Sequence, residues 1–412
     1  MTEHFPDICS FLDEAPTSWH TTELLASFLS KQGYKALDER KRFTVAAGNA
    51  YFLKKGGSLF TFSLPKKSVK KLLIFTTHTD SPTFQLKRHP DSPTHDMNTL
   101  LVEAYGSPLK RTWVDRDLFL AGRVFTSKNG VAKEQLVSFE EYPFTIPSLA
   151  VHLDRDQKAP ENKQLHMRPL FSIEKNHTVE SLLREKMKGQ TVHSYELFLI
   201  PYEPARILNS ELVSSYRLDN LASVHATVEG LLQAKVSEDT LVCHAMFNHE
   251  EIGSATPEGG VSSTLDTLLK RISYALHDSE LPLHEWKANA LGVSIDMAHA
   301  LHPNHLDKYD VQNSPLLGRG PAIKYNACKR YATSAYSASV IEMTAKKHKI
   351  PLQSFTIHSD GSCGSTIGHL LSHTFGIEVV DIGIPQLAMH SARELMALKD
   401  HYSLSQLVRH LV

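Results

Sequence analysis

Residues 247–254 spell FNHEEIGS, in which an apolar run ends in two adjacent carboxylates, Glu250 and Glu251. Like charges side by side are costly unless a cation lies between them or solvent bathes both. Other apolar runs end in similar chemistry. LLIFTTHTD (72–80) carries His78 and Asp80, and NALGVSIDMAH (289–299) carries Asp296. PQLAMHSARE (385–394) carries His390, and Asp219 stands immediately before a segment of helical period. In open α/β sheets the functional crevice lies outside the carboxyl ends of the strands, so run-end residues converge although they are distant in sequence. Two histidines and several carboxylates converging there point to a metal site.

Each member also has a plainer reading. His78-x-Asp80 has the spacing that puts both side chains on one face of a strand, with Asp80 fixing the imidazole for metal binding, or it is a surface turn before Pro82. Asp219 is an N-cap on local evidence, although a bridging carboxylate would also suit the positive end of a helix. Asp296 either binds metal or simply ends its strand. Ser391-x-x-Glu394 has the form of a capping box, which places His390 just outside a helix start. Glu250 and Glu251 form a solvated acidic turn, or they share one site because Gly253 lets the strand turn. In the second case one carboxylate binds metal and the other, Glu250, serves a water as general base.

The elements that must position these residues follow from periodicity. Five apolar runs, at 72–80, 240–251, 289–299, 354–360 and 377–383, read as buried strands. Leu221, Val224, Val228, Leu231 and Leu232 line one face of a helix. Alternating strands and helices imply an α/β fold with a central, mostly parallel sheet flanked by helices. Residues 83–206 differ, with weak helical period and Asn129-Gly130 placed for a tight hairpin turn. The predicted organisation is a catalytic domain in two parts, 1–82 and 207–412, around a β-rich domain at 83–206.

Composition narrows the classes of function. The 412 residues carry 44 basic and 45 acidic side chains, a net charge of -1, which lends nucleic-acid binding no support. Four cysteines without a Cys-x-x-Cys pair argue against a disulfide framework and a thiolate zinc site, and favour a reducing, cytoplasmic setting. The N-terminal residues do not resemble a signal peptide, and no run of 18 apolar residues indicates a membrane span. SDGSCGSTIG (359–368) lacks the Gly-Lys-Ser/Thr ending of a phosphate loop, and no G-x-S-x-G elbow is present.

Taken together, HTDSP (78–82), RLDN (217–220), NHEEIGS (248–254), DMAHALHPN (296–304), GPAIKYNACKRYA (320–332), CGSTIG (363–368) and PQLAMHSARE (385–394) closely resemble the aspartyl aminopeptidase family of dinuclear metallopeptidases. The motifs run in family order along nearly the whole chain. The resemblance implies that His78 and Asp296 hold one divalent ion, Glu251 and His390 a second, and Asp219 bridges them, with Glu250 as general acid/base. Zinc is the preferred metal, although manganese and cobalt also suit these ligands. It further implies removal of N-terminal Asp or Glu from peptides. On the same resemblance Lys324 would pair with the substrate carboxylate, Tyr331 and His299 would line the pocket, and His152 in SLAVHLDRD would come from a neighbouring subunit through the inserted dimerisation domain. Dimers that build a dodecamer are the implied assembly. One departure is that Gly361-Ser362 replace a bulkier residue followed by proline.

Two rival functions share these residues. A different hydrolase on the same scaffold, such as a neutral aminopeptidase, carboxypeptidase or deacylase, could use every ligand. A non-catalytic metal-binding scaffold is the other, and the spare carboxylate of Glu250 argues against it.

Overall fold

The predicted apolar runs form strands of one nine-stranded sheet. The five runs supply the strands Lys71–His78, Thr240–Phe247, Ala290–Ile295, Gln353–Thr356 and Glu378–Gly383. The whole sheet in spatial order is Lys35–Ala36, Ala50–Lys55, Ser58–Ser63, Thr240–Phe247, Lys71–His78, Ala290–Ile295, Glu378–Gly383, Ala322–Tyr325 and Gln353–Thr356. The computed structural model describes residues 4–153, 155 and 162–412. The four central strands are mutually parallel, and antiparallel pairs occur toward both edges. In the central strands Phe247 stands opposite His78, so the residues that follow both strands leave the sheet side by side.

Burial explains why these runs are continuously apolar rather than alternating. Seven of the eight residues of Lys71–His78 are buried, as in a strand covered on both faces. Phe75 joins a core on one face with Leu221, Val224, Ile382 and Leu404, while Ile74 joins another on the opposite face with Leu241, Leu268 and Leu371. The first core takes in the helices Leu218–Gln233 and Leu398–Leu411. They cross where a Cβ on Gly230 would lie 2.5 Å from the Ser405 carbonyl oxygen, so only glycine permits this approach.

After His78 the chain leaves this sheet. The strands Thr83–Thr94, Met97–Tyr105, Asp117–Lys128, Val131–Ser138, Phe144–Thr145, Leu170–Ser172 and Ser194–Pro201 form a second sheet of seven strands. Ser194–Pro201 pairs with both Thr83–Thr94 and Asp117–Lys128, which closes the sheet into a barrel. It has its own core around Phe84, Trp113, Leu120 and Phe139. Asn129 and Gly130, at φ 52° and 76°, make the predicted hairpin turn between Asp117–Lys128 and Val131–Ser138. The architecture is thus α/β with an inserted β-rich domain. Among the described residues no helix is long and apolar enough to cross a membrane.

A third sheet, unforeseen from the sequence, joins the return from the barrel to the end of the chain. Its order is Arg206–Leu208, Leu212–Ser215, Glu394–Ala397, Pro385–Leu387 and Ala298–His299. It overturns the capping-box reading of Ser391-x-x-Glu394. Glu394 begins a strand paired with Leu212–Ser215, and the following helix starts at Leu398. Strand pairing supplies partners that a helix start would have drawn from the box. The N-cap reading of Asp219 fails as well. Arg217, at φ 68°, occupies the position before the helix, and Asp219 lies one residue inside it with non-helical dihedrals.

Candidate active site

Three parallel strands end at the site. His78 closes Lys71–His78, Glu250 and Glu251 sit in the single 3-10 turn after Thr240–Phe247, and Asp296 follows Ala290–Ile295. His249 at φ 65° and Gly253 at φ 93° bracket that turn and swing both glutamates off the strand axis. Asp219 enters from the start of its helix and His390 from the loop between the strands Pro385–Leu387 and Glu394–Ala397.

The side chains converge in two groups. His78 Nε2 lies 3.3 Å from Asp219 Oδ1 and 3.4 Å from Asp296 Oδ1. His390 Nε2 lies 3.5 Å from Asp219 Oδ2 and 3.5 Å from Glu251 Oε2. Asp219 therefore presents one oxygen to each histidine. Ligand atoms of His78, Glu250 and Glu251 also fall within 4.8 Å of one another.

Both rings are oriented from behind. His78 Nδ1 donates to the Asp80 backbone carbonyl at 3.1 Å, and His390 Nδ1 donates to the Ser107 carbonyl at 3.2 Å. With Nδ1 carrying the proton, each neutral ring turns an Nε2 lone pair toward carboxylate oxygens, acceptor against acceptor. Asp219 Oδ1 and Glu251 Oε1 are buried without a hydrogen-bond donor. A cation answers both deficits, so the histidine and carboxylate set fits divalent metal ions in two places.

Electrostatics point the same way. Burial alone would push the His78 pKa down, yet Asp219, Asp296 and Asp80 hold it well above the usual histidine range. Burial opposes the charge on His390 too, but Asp219 and Glu251 raise it to about 10. The clustered carboxylates thus favour positive charge at both rings. Burial, with Asp219 next, pushes Glu251 well up, and burial lifts Glu250 to about 8. Asp219 goes the other way: burial would raise it, but the nearby imidazoles of His390 and His78 outweigh that burial.

Asp80 does more than the predicted orientation of His78. Its backbone carbonyl takes the shorter ring contact, while its Oδ1 lies 3.5 Å from Nδ1. The carboxylate accepts the backbone N–H of Glu250 at 3.1 Å and of Glu251 at 3.2 Å, and the Tyr105 hydroxyl at 2.7 Å. It fixes the backbone turn that carries both glutamates.

Of the predicted pocket residues, Lys324 is 2% exposed and donates to the Met297 carbonyl at 2.9 Å, with Asp296 Oδ2 3.6 Å away. Its ammonium lies 5.2 Å from the centre of the Tyr331 ring, which is buried with Ala298, Ala322 and Phe355. His299 packs against Phe355, and burial followed by the charge of Lys324 lowers its pKa. His152 stands on an exposed segment between exposed Leu149, Val151 and Leu153, and enters none of the contacts of the cluster. Gly361 and Ser362 are exposed in the loop before the helix Ile367–Phe375.

Sequence reasoning missed Glu394 and Arg217. Buried Glu394 accepts the backbone N–H of Asp219 at 3.0 Å and of His390 at 2.7 Å. Arg217, also buried, donates to the backbone carbonyls of Ala15 and Thr79, the latter between His78 and Asp80. Neither partnership has a local sequence signal, since every partner is distant or is main chain.

The family model described as "Aminopeptidase I zinc metalloprotease (M18)" matches residues 11–411. A Clostridium novyi protein described as "Probable M18 family aminopeptidase 2" is 35% identical over 415 residues, covering 96% of this chain and 95% of its own. Among solved structures, a chain from the cryo-EM structure of the Ape4 and Nbr1 complex superposes with a TM-score of 0.92 at 31% identity, covering 98% of this chain and 84% of that one. The S. cerevesiae mApe1 dodecamer has the same fold, with a TM-score of 0.86 at 24% identity over 98% of this chain and 94% of that one. With histidines and carboxylates gathered at the strand ends and nearly its whole length matched, the chain belongs to the M18 family of zinc metallo-aminopeptidases.

Proposed function

We propose that this aminopeptidase removes an N-terminal Asp or Glu from peptides, using two divalent ions, zinc by preference. His78 and Asp296 would hold one ion, Glu251 and His390 the other, and Asp219 would bridge them. The ions would supply Lewis acidity to the scissile carbonyl and to the attacking water. Glu250 takes the proton of that water and delivers it to the leaving amine. Asp80 holds the Glu250 backbone, which fixes the reach of that carboxylate. The spare anionic group beside the ligands supports catalysis over a purely structural metal site.

Acid selectivity rests on Lys324. A buried ammonium 3.6 Å from Asp296 stands at the edge of the cluster, where it can pair with a substrate carboxylate. Tyr331 and His299 shape the space around it. A neutral first residue would leave that ammonium without the partner, which is how a polar site rejects an apolar analogue.

His152 supports an assembly in which one subunit completes the pocket of another. Its exposed segment carries three apolar side chains, as a surface made to be covered would. We assign dimerisation to the domain at 83–206 and a dodecamer built from six such dimers to the assembly, an arrangement that the fold shared with the mApe1 dodecamer supports. Four free cysteines favour a cytoplasmic setting.

The test is hydrolysis of matched peptides with N-terminal Asp, Glu, Leu and Ala, before and after chelation and metal restoration. Chelator-sensitive cleavage confined to Asp and Glu is expected. Equal rates on Leu or Ala would remove the role of Lys324, and cleavage that survives complete metal removal would remove the ions.

A further inference from the structure

The strand Met97–Tyr105 belongs to the barrel sheet, yet the residues that follow it touch the catalytic cluster from the same chain. Four contacts lie on one short stretch. The Tyr105 hydroxyl donates to Asp80 Oδ2 at 2.7 Å. The Ser107 carbonyl accepts the His390 Nδ1 proton at 3.2 Å, and Leu109 N–H donates to the His390 carbonyl at 2.9 Å. Thr112 Oγ1 accepts the Ala392 N–H at 2.9 Å.

Between these contacts, Gly106 lies directly on Glu251. At φ 67° it has left-handed backbone, and a Cβ there would stand 3.2 Å from Glu251 Cβ and 3.4 Å from the Glu251 carbonyl oxygen. A Cβ there would crowd the Glu251 side chain, which faces His390, by a few tenths of an ångström, on backbone that residues other than glycine rarely adopt. The Tyr105 ring is in turn braced by Phe198 of the barrel, edge to face at 5.3 Å between centroids.

We propose that residues 105–112 form a positioning strap through which the inserted domain sets the catalytic geometry of its own subunit. The strap has two grips. Through Tyr105 it fixes Asp80, whose carboxylate holds the backbone N–H groups of both Glu250 and Glu251. Through Ser107 and Leu109 it fixes the tautomer and position of His390, leaving Nε2 free to face Asp219 and Glu251. These are the two halves of the cluster, and the hydrophobic core of the barrel sets the place of the segment that joins them. The inserted domain is thereby part of the hydrolytic machinery as well as a surface for assembly. The role of each grip rests on the proposed metal and general-base assignments.

The experiment compares wild type with Tyr105→Phe, Gly106→Val and, as a control inside the same domain, Tyr142→Phe, whose hydroxyl bonds Glu185 away from the cluster. For each protein, kcat, KM, zinc affinity by chelator competition and the thermal midpoint are measured, with rates taken on whichever N-terminal residue the wild type cleaves. Loss of a group that orients a ligand or its neighbour typically lowers affinity or activity about 10–100-fold. Tyr105→Phe is expected to lower kcat by that factor with KM within about twofold, because the hydroxyl acts on Asp80 and not on substrate. Gly106→Val is expected to weaken zinc binding by a similar factor. Tyr142→Phe should match wild type.

Folded Tyr105→Phe with wild-type kcat, together with folded Gly106→Val with wild-type zinc affinity, would overturn the strap. A wild-type protein that held one ion, or preferred a neutral first residue, would instead sink the dinuclear, acid-selective reading. The strap is read as ratios to wild type and survives that outcome.

Discussion

Asp219 and His390 are held to one another through a shared acceptor. The Glu394 carboxylate takes the backbone N–H of Asp219 on one oxygen and that of His390 on the other. Burial raises the pKa of this carboxyl to about 8, with the nearby charge of Asp219 adding to the effect. The main chain of two cluster residues from distant parts of the sequence is thus locked to one side chain.

Glu394→Gln tests that lock. The amide keeps the shape but turns an NH2 toward one of the two backbone donors, and leaving a buried donor unpaired costs about 1–3 kcal/mol. The expected result is a 10–100-fold fall in kcat/KM with weaker metal binding, as for groups that support ligands indirectly. Isothermal titration with zinc and steady-state kinetics check it. Unchanged values for both would reduce Glu394 to a filler of space.

Glu250→Gln should separate binding from turnover. The amide cannot carry a proton, so kcat is expected to drop by about 10²–10⁴-fold while metal content stays at the wild-type level. Elemental analysis of the purified variant beside its rate decides the matter. Near wild-type turnover would reassign the base.

Lys324→Met removes the buried ammonium at nearly constant length. A hydrogen bond to a charged group is worth about 1.5–3 kcal/mol, so kcat/KM for acidic substrates should fall about 10–100-fold. Substrates with N-terminal Ala should change little, which collapses the ratio between the two classes. A loss shared equally by both would show that Lys324 supports Asp296 and takes no part in selection.

Acid should destabilise the fold through buried neutral histidines. Burial lowers His244 to about 3 and His20 to about 4, and it also lowers His225 and His401. In the unfolded chain these groups titrate near 6.5. Below that value the unfolded state binds more protons, so stability is fully present above pH 6.5 and is lost as pH falls toward the folded values. His244 and His20 each cost about 2 kcal/mol by pH 5, and His225 and His401 act in the same direction. Urea unfolding of wild type and His244→Gln between pH 5 and 8 measures the slope, which should be shallower in the variant. Parallel slopes would clear His244 of any part in acid sensitivity.

The strand ends were legible because they obey one rule. His78, Glu250, Glu251 and Asp296 close apolar runs, and a parallel sheet delivers such ends to one edge. The hairpin at Asn129-Gly130 was legible for a local reason, since both residues tolerate positive φ. Glu394 was misread because Ser-x-x-Glu before apolar residues satisfies a helix start and a strand equally, and pairing with Leu212–Ser215 decided between them. The cap was misplaced by two residues for a similar reason, as Arg217 rather than Asp219 took the left-handed position ahead of the helix. Tyr105 left no sequence trace at all, because its partner Asp80 lies in another domain.

The order of the chain adds a consequence for synthesis. The cluster draws on His78 before the barrel, on Asp219 after it, and on His390 beyond the strand Glu378–Gly383. A growing polypeptide that has yet to emerge past His390 carries most of the acidic side chains but lacks the imidazole that faces Asp219 and Glu251. The pairing of Asp219 with both histidines therefore spans the barrel, and it is complete only once chain from before and from beyond that domain has folded together.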